Sequence, residues 1–251
     1  MLLEELTDYL AGLLNVAAFD DYAPNGLQVE GRAEVRHLVG GVTASQALID
    51  AAIERQADAL LVHHGYFWKG EDPCIIGIKH HRLQSLLGAG ISLLAYHLPL
   101  DAHPELGNNI QLARRLDINV EGRFAGSHGI DLALYGHLQQ PLSAPDLRRH
   151  ISLRLQREAL HLGGHDRPIR RVAWCTGAAQ GYFQDAVDLG VDAFISGEVS
   201  EPCTHLARES GVHYFAAGHH ATERFGVQAL GHHLATECNI DFEFVDVDNP
   251  V

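Results

Sequence analysis

The chain has 251 residues, 46% hydrophobic and 20% charged, a balance ordinary for a globular protein with room for one large α/β domain or two intimate ones. Its formal net charge of −14, with basic pairs as short as Arg148-Arg149 and Arg170-Arg171, argues against a nucleic-acid partner, since phosphate contacts need clustered Lys and Arg. No apolar run reaches the roughly 18 residues of a membrane span, and Met1-Leu2-Leu3-Glu4-Glu5 lacks a signal peptide's basic start, so no membrane partner and a cytoplasmic location are expected.

Leu2, Leu3, Leu6, Leu10, Leu13 and Leu14 share a face and predict a helix over 2–14. Pro24-Asn25-Gly26 marks a turn. A strand at 38–42 is followed by Thr43 or Ser45 as cap for a helix over 46–55. Ala59-Leu60-Leu61-Val62 reads as a buried strand ending at His63-His64. A helix over 79–87, a strand over 91–96 ending at His97, and a helix near 109–116 complete the first half. Residues 124–165 break this rhythm, with strand-like stretches at 131–136 and 158–162 around a helix near 144–156. They are either an inserted subdomain or an extension of the sheet. Alternation then resumes: strand 172–175, helix 182–189, strand 193–195, helix 201–209, strand 212–216, helix 220–236 and strand 241–245. The pattern predicts the α/β class with mainly parallel sheets. Cys74, Cys175, Cys203 and Cys238 lie far apart without a C-x-x-C pair, which argues against a disulfide framework or a cysteine zinc site.

The halves resemble each other. Arg36-His37-Leu38-Val39 opens a strand–helix–strand that reaches Asp58-Ala59-Leu60-Leu61-Val62, and Arg171-Val172-Ala173-Trp174 opens one that reaches Asp192-Ala193-Phe194-Ile195-Ser196. The expected organisation is two similar α/β lobes, pseudo-duplicated, over 1–123 and 124–251, the second containing the variable segment 124–165.

Each half also delivers a His-x-x-x-acid pattern, His97/Asp101 and His219/Glu223, and the first adds His63-His64. Imidazole with carboxylate suits borderline and hard divalent cations such as Zn, Fe, Mn or Ni. The two sets hold more donors than one tetrahedral ion needs, so a two-metal centre is expected. All four histidines sit at the carboxyl ends of predicted strands, where open α/β sheets place their sites. His80-His81 and His232-His233, inside predicted helices, are assigned to solvated faces. Adjacent strand residues point to opposite sides, so His63 and His64 can act together only where the chain turns, for which Gly65 provides. His97 either ligates or orients Asp101; His103 and His220 are weaker candidates. Phe67 and Trp68 can stack a flat ring, Lys69 can meet a phosphate, and Glu198 ends the strand that matches His63-His64.

Asp21-Tyr22-Ala23-Pro24-Asn25-Gly26-Leu27-Gln28-Val29, Val42-Thr43, His63-His64-Gly65, His97-Leu98-Pro99-Leu100-Asp101 and Gly218-His219-His220-Ala221-Thr222-Glu223 together resemble the NIF-three-like family, in particular its YbgI-type bacterial members, the GTP cyclohydrolase 1 type 2 homologs. The resemblance implies two similar α/β lobes with a dinuclear divalent-metal site at their junction and assembly into a toroidal homohexamer. It implies His63, His64, Asp101, His219 and Glu223 as ligands, with Glu223 bridging. It implies metal-dependent hydrolysis of a small, nucleotide-like substrate by a GTP cyclohydrolase-like enzyme. A phosphoesterase using the same centre and a non-catalytic, metal-dependent binding or regulatory ring are the alternatives.

Overall fold

The computed structural model describes residues 1–127 and 130–251. They form two α/β units. Unit 1 comprises Met1–Gly107 and Gly226–Asp248, and unit 2 comprises Asn108–Phe225 and Asn249–Val251. The division therefore differs from a boundary at 123: it falls at Gly107, and a C-terminal segment counts with the first unit.

Unit 1 is a five-stranded sheet in the order β1 (Gly26–Val29), β4 (Ser92–Ala95), β3 (Ala59–His64), β2 (His37–Thr43), β11 (Asp241–Phe244). Only the β1–β4 pairing is antiparallel. The buried strands are apolar on both faces, as parallel sheets covered by helices require. On β3, Ala59 and Leu61 pack with Leu3, Leu6 and Leu10 of α1 (Leu3–Leu13) and with Val227, Leu230 and Leu234. Leu60 and Val62 pack with Leu48, Ile49 and Ala52 of α2 (Gln46–Glu54) and Leu83 and Leu86 of α3 (Gly77–Ala89). Each such Leu or Val, once fully buried, contributes about 1.5–3 kcal/mol. Ser45 accepts from Leu48 N and is the cap of α2. The short helix α4 (Leu98–Ala102), with Pro99 in its first turn, follows β4 directly.

Unit 2 is a six-stranded sheet in the order β5 (Ile118–Ser127), β6 (Ile130–Leu142), β8 (Ile169–Cys175), β9 (Ala193–Ser196), β10 (His213–Ala216), β7 (Leu160–Leu162). Strands β8, β9 and β10 are parallel and the other pairings antiparallel. One face packs on α5 (Asn108–Arg115), α6 (Ala144–Leu155) and Phe225. On the other, Phe194 and Tyr214 meet Phe183 at ring-centroid distances of 5.9 and 4.8 Å. Helices α7 (Phe183–Asp188) and α8 (Glu201–Ser210) complete the crossovers. Helix α9 (His219–Cys238) carries the chain onward from β10.

The order β1-β4-β3-β2 recurs as β7-β10-β9-β8, each with one antiparallel edge strand and three parallel strands. The lobes are thus similar, as the sequence repeat predicts. Segment 124–165 is an extension of the sheet: the β5–β6 hairpin adds two strands, and α6 and β7 occupy the places that α1 and β1 hold in unit 1. Cys74, Cys175, Cys203 and Cys238 form no disulfide, and Cys175 and Cys203 are buried.

Candidate metal centre

In unit 1 the donors gather at the carboxyl ends of β3 and β4. His63 and His64 end β3, His97 follows β4, and Asp101 lies in the first turn of α4. One ring nitrogen from each of His63, His64 and His97 lies within 4.8 Å of the others. His63 Nε2 stands 3.5 Å from Asp101 Oδ1. His63 and Asp101 are buried, while His64 and His97 are half-buried. The rings of the adjacent residues His63 and His64 come to 4.6 Å between centroids. Gly65 is needed here for close approach: a Cβ would sit 2.2 Å from Gln28 Oε1, the atom that accepts from Tyr66 N.

Each imidazole is aimed by a partner on its other nitrogen. His63 Nδ1 meets Tyr96 O at 2.9 Å, His64 Nδ1 meets Thr43 Oγ1 at 3.2 Å, and His97 Nδ1 meets Asp21 Oδ1 at 2.7 Å. Tyr96 O and Asp21 can only accept from Nδ1–H, which turns the lone pair of His63 and His97 to Nε2, the tautomer control usual for metal-binding histidine, and Thr43 orients the His64 ring. Asp21 was not among the candidates read from the sequence. It is buried and also accepts from Leu98 N and Asn25 Nδ2. Burial raises its carboxyl, but His97 and the other donors outweigh burial and hold it at about 2. Asn25 fixes the backbone as well, through His97 N to Asn25 Oδ1 at 2.7 Å. The signal for both was the Asp21-to-Asn25 stretch of the family pattern, whose role is visible only once it meets His97.

In unit 2, His219 opens α9 with a carboxylate at each ring nitrogen: Glu198 Oε1 at 2.7 Å from Nδ1 and Glu223 Oε2 at 3.1 Å from Nε2. Burial pulls the imidazole down, but Glu223 and Glu198 more than offset it, and His219 rises to about 9. Glu198 follows β9 as expected and is fixed through its carbonyl, which accepts from the Tyr214 hydroxyl at 2.5 Å. Gly177, with φ +67°, walls the cluster: a Cβ there would lie 2.1 Å from Glu223 Oε1 and 3.2 Å from His219 Nε2. Buried carboxylate and half-buried imidazole, each already oriented, fit a divalent cation of the borderline or hard kind.

The remaining candidates divide. Trp68 flanks the cluster, its ring 5.1 Å from His97 and 6.0 Å from His64. Phe67 lies beneath Lys79 Nζ at 5.1 Å from the ring centroid, and Lys69 pairs with Asp20 at 2.6 Å, both side chains exposed. His103 accepts from Glu105 N and Leu106 N and closes the turn after α4. His220 is buried, and its backbone N–H donates to Val251 O. His80 and His81 are exposed on α3 as expected. His232 is exposed, but His233 is half-buried and meets the Tyr9 hydroxyl at 2.7 Å.

Duplicated α/β lobes, each carrying oriented histidine and carboxylate donors at strand ends, define a candidate metal-binding α/β protein. The family described as Duf34/NIF3 (NGG1p interacting factor 3) matches residues 1–250, and the chain belongs to it. A Pseudomonas aeruginosa protein named GTP cyclohydrolase 1 type 2 homolog is 56% identical over 249 residues, 99% of this chain and 97% of that one. The Allochromatium vinosum protein of the same name is 58% identical over 98% of this chain and 96% of that one. Among solved structures, one described as protein ybgI of unknown function superposes with a TM-score of 0.96 at 51% identity over the whole of both chains. TTHA1606 from Thermus thermophilus does so with 0.89 at 34%, again over both chains in full. No described helix is long and apolar enough to cross a membrane.

Proposed function

We propose that the chain holds two divalent cations, drawn from Zn, Fe, Mn and Ni, for which His63, His64, Asp101, His219 and Glu223 would be the ligands. The observation that carries this reading is the gathering of the His63, His64 and His97 donor atoms within 4.8 Å, with Asp101 beside His63. The His219–Glu223 pair, held by Glu198, supports it from unit 2. Such ions supply Lewis acidity, lowering the pKa of water and polarising the bond under attack.

The reaction we propose is hydrolysis of a nucleotide-like substrate, of the kind named in the GTP cyclohydrolase 1 type 2 homologs. The chain's own residues have definable tasks. Tyr96 O and Asp21 set the tautomers of His63 and His97, and Thr43 and Glu198 orient the rings of His64 and His219. Trp68 offers an indole beside His97 for a purine to stack on, whereas Phe67 is engaged with Lys79. Metal-loaded protein should release formate from GTP, and His64→Ala and Glu223→Ala should abolish it. Turnover equal to that of the variants removes the cyclohydrolase reading. We further propose a toroidal homohexamer, whose sixfold mass light scattering on the purified protein tests, and a cytoplasmic location, which cell fractionation tests.

A further inference from the structure

Arg114, Arg115 and Arg154 line one cavity of about 220 Å³ in unit 2, together with Gln111 and Phe225. Three of the chain's 18 Lys and Arg residues therefore meet at one place in a protein of net charge −14. Arg114 and Arg115 occupy the last turn of α5, and Arg154 the last turn of α6. The helix dipole favours a cation at such a position, which accounts for each arginine separately. It does not account for their convergence or for the aromatic ring beside them.

The Arg115 guanidinium lies over the Phe225 ring, 4.5 Å from the centroid, and Arg224 lies over the same ring at 5.6 Å. Stacking occupies the face of a guanidinium and leaves its in-plane N–H donors for a ligand. Arg154 is braced by an ion pair with Asp117, and Arg224 donates to Leu155 O. Guanidinium groups match phosphate oxygens two at a time, with charge-assisted hydrogen bonds. The volume falls below the roughly 300–1,000 Å³ of pockets that hold drug-sized ligands, which favours a compact anion over a whole nucleotide as the occupant.

We propose that this cavity binds a free, compact phosphate anion, phosphate or pyrophosphate, through Arg115 and Arg154. None of its lining residues is a proposed metal ligand, so the inference stands or falls independently of the metal centre.

The test is calorimetric titration of pyrophosphate into the full-length protein at constant ionic strength, because salt screens exposed charges. Saturable binding is expected, weakened at least tenfold in Arg115→Ala and Arg154→Ala and unchanged in His64→Ala. Arg115→Lys keeps the charge at the end of α5 but loses the planar fork. It should bind several-fold more weakly at an unchanged Tm, which guards against a variant that merely misfolds. Wild-type-like binding by the arginine variants overturns the proposal. So does loss of binding in His64→Ala, which would put the anion at the histidines, or tighter binding of AMP than of pyrophosphate.

Discussion

Asp58 and Asp192 occupy one position in two copies of the same fold. Asp58 Oδ2 accepts the N–H groups of Arg36 and His37 at 3.0 and 3.1 Å, and Asp192 Oδ2 accepts those of Arg170 and Arg171 at 2.9 and 3.0 Å. Their own N–H groups donate to His37 O and Arg171 O, and their carbonyls accept from Ser92 N and His213 N. Each aspartate thus ties together the starts of three parallel strands, β2, β3 and β4 in one unit and β8, β9 and β10 in the other. Strand starts set the register, and the register decides which residues arrive at the strand ends where the histidines sit.

Replacing either clamp should therefore cost stability. A charged acceptor with two backbone donors suggests a loss of about 1–3 kcal/mol for Asp58→Ala or Asp192→Ala. Burial raises both carboxyls, but the backbone N–H donors outweigh it and leave both lowered. A depressed folded-state pKa means that the unfolded chain binds more protons at acid pH. The stabilisation is present above the ordinary aspartate value and is lost as pH falls through the folded-state values. Urea melts across the acid range should show this loss in wild type and a shallower slope in Asp58→Asn.

Gly177→Ala tests the wall of the unit 2 cluster. Its φ of +67° costs a non-glycine residue roughly 1–2 kcal/mol, and the new Cβ would meet Glu223 Oε1. Displacement of that carboxylate should lower metal content, read by elemental analysis. Gly181→Ala, whose Cβ would meet nothing within 4 Å, should keep it.

Asp21→Asn tests support of His97. Removing a partner that orients a metal-binding histidine typically costs 10–100-fold in metal affinity, so a loss of that size in chelator competition would add His97 to the five proposed ligands. An unchanged affinity would place His97 outside the centre.

Trp68→Ala tests the stacking surface. Base stacking on an aromatic side chain is worth about 1–3 kcal/mol, so guanine nucleotide binding should weaken by about tenfold or more. Phe67→Ala should leave it nearly unchanged.

Much of this fold was legible because the central strands are continuous apolar runs broken by helical spacing. Ala59 to Val62 and Ala193 to Ile195 read directly as strands, and the paired Asp-Ala starts exposed the duplication. Three elements were not foreseen. Strand β1 has four residues with an irregular burial pattern at the sheet edge. Strand β5 interleaves Asn119, Glu121 and Arg123 with its apolar residues and owes its conformation to pairing with β6. Helix α4 spans five residues, too few for helical periodicity to register. At the site, strand-end histidines announced themselves, but their partners did not. Asp21 lies 76 positions from His97, and a hydrogen bond across that separation leaves no local pattern.

The proposed pair of cations is tested most directly by elemental analysis of the protein purified under native conditions without added metal. The account predicts two divalent ions per chain, removed by chelation and sharply depleted in His64→Ala and Glu223→Ala. A chain that carries no ions, or whose ion content is indifferent to both substitutions, would contradict it.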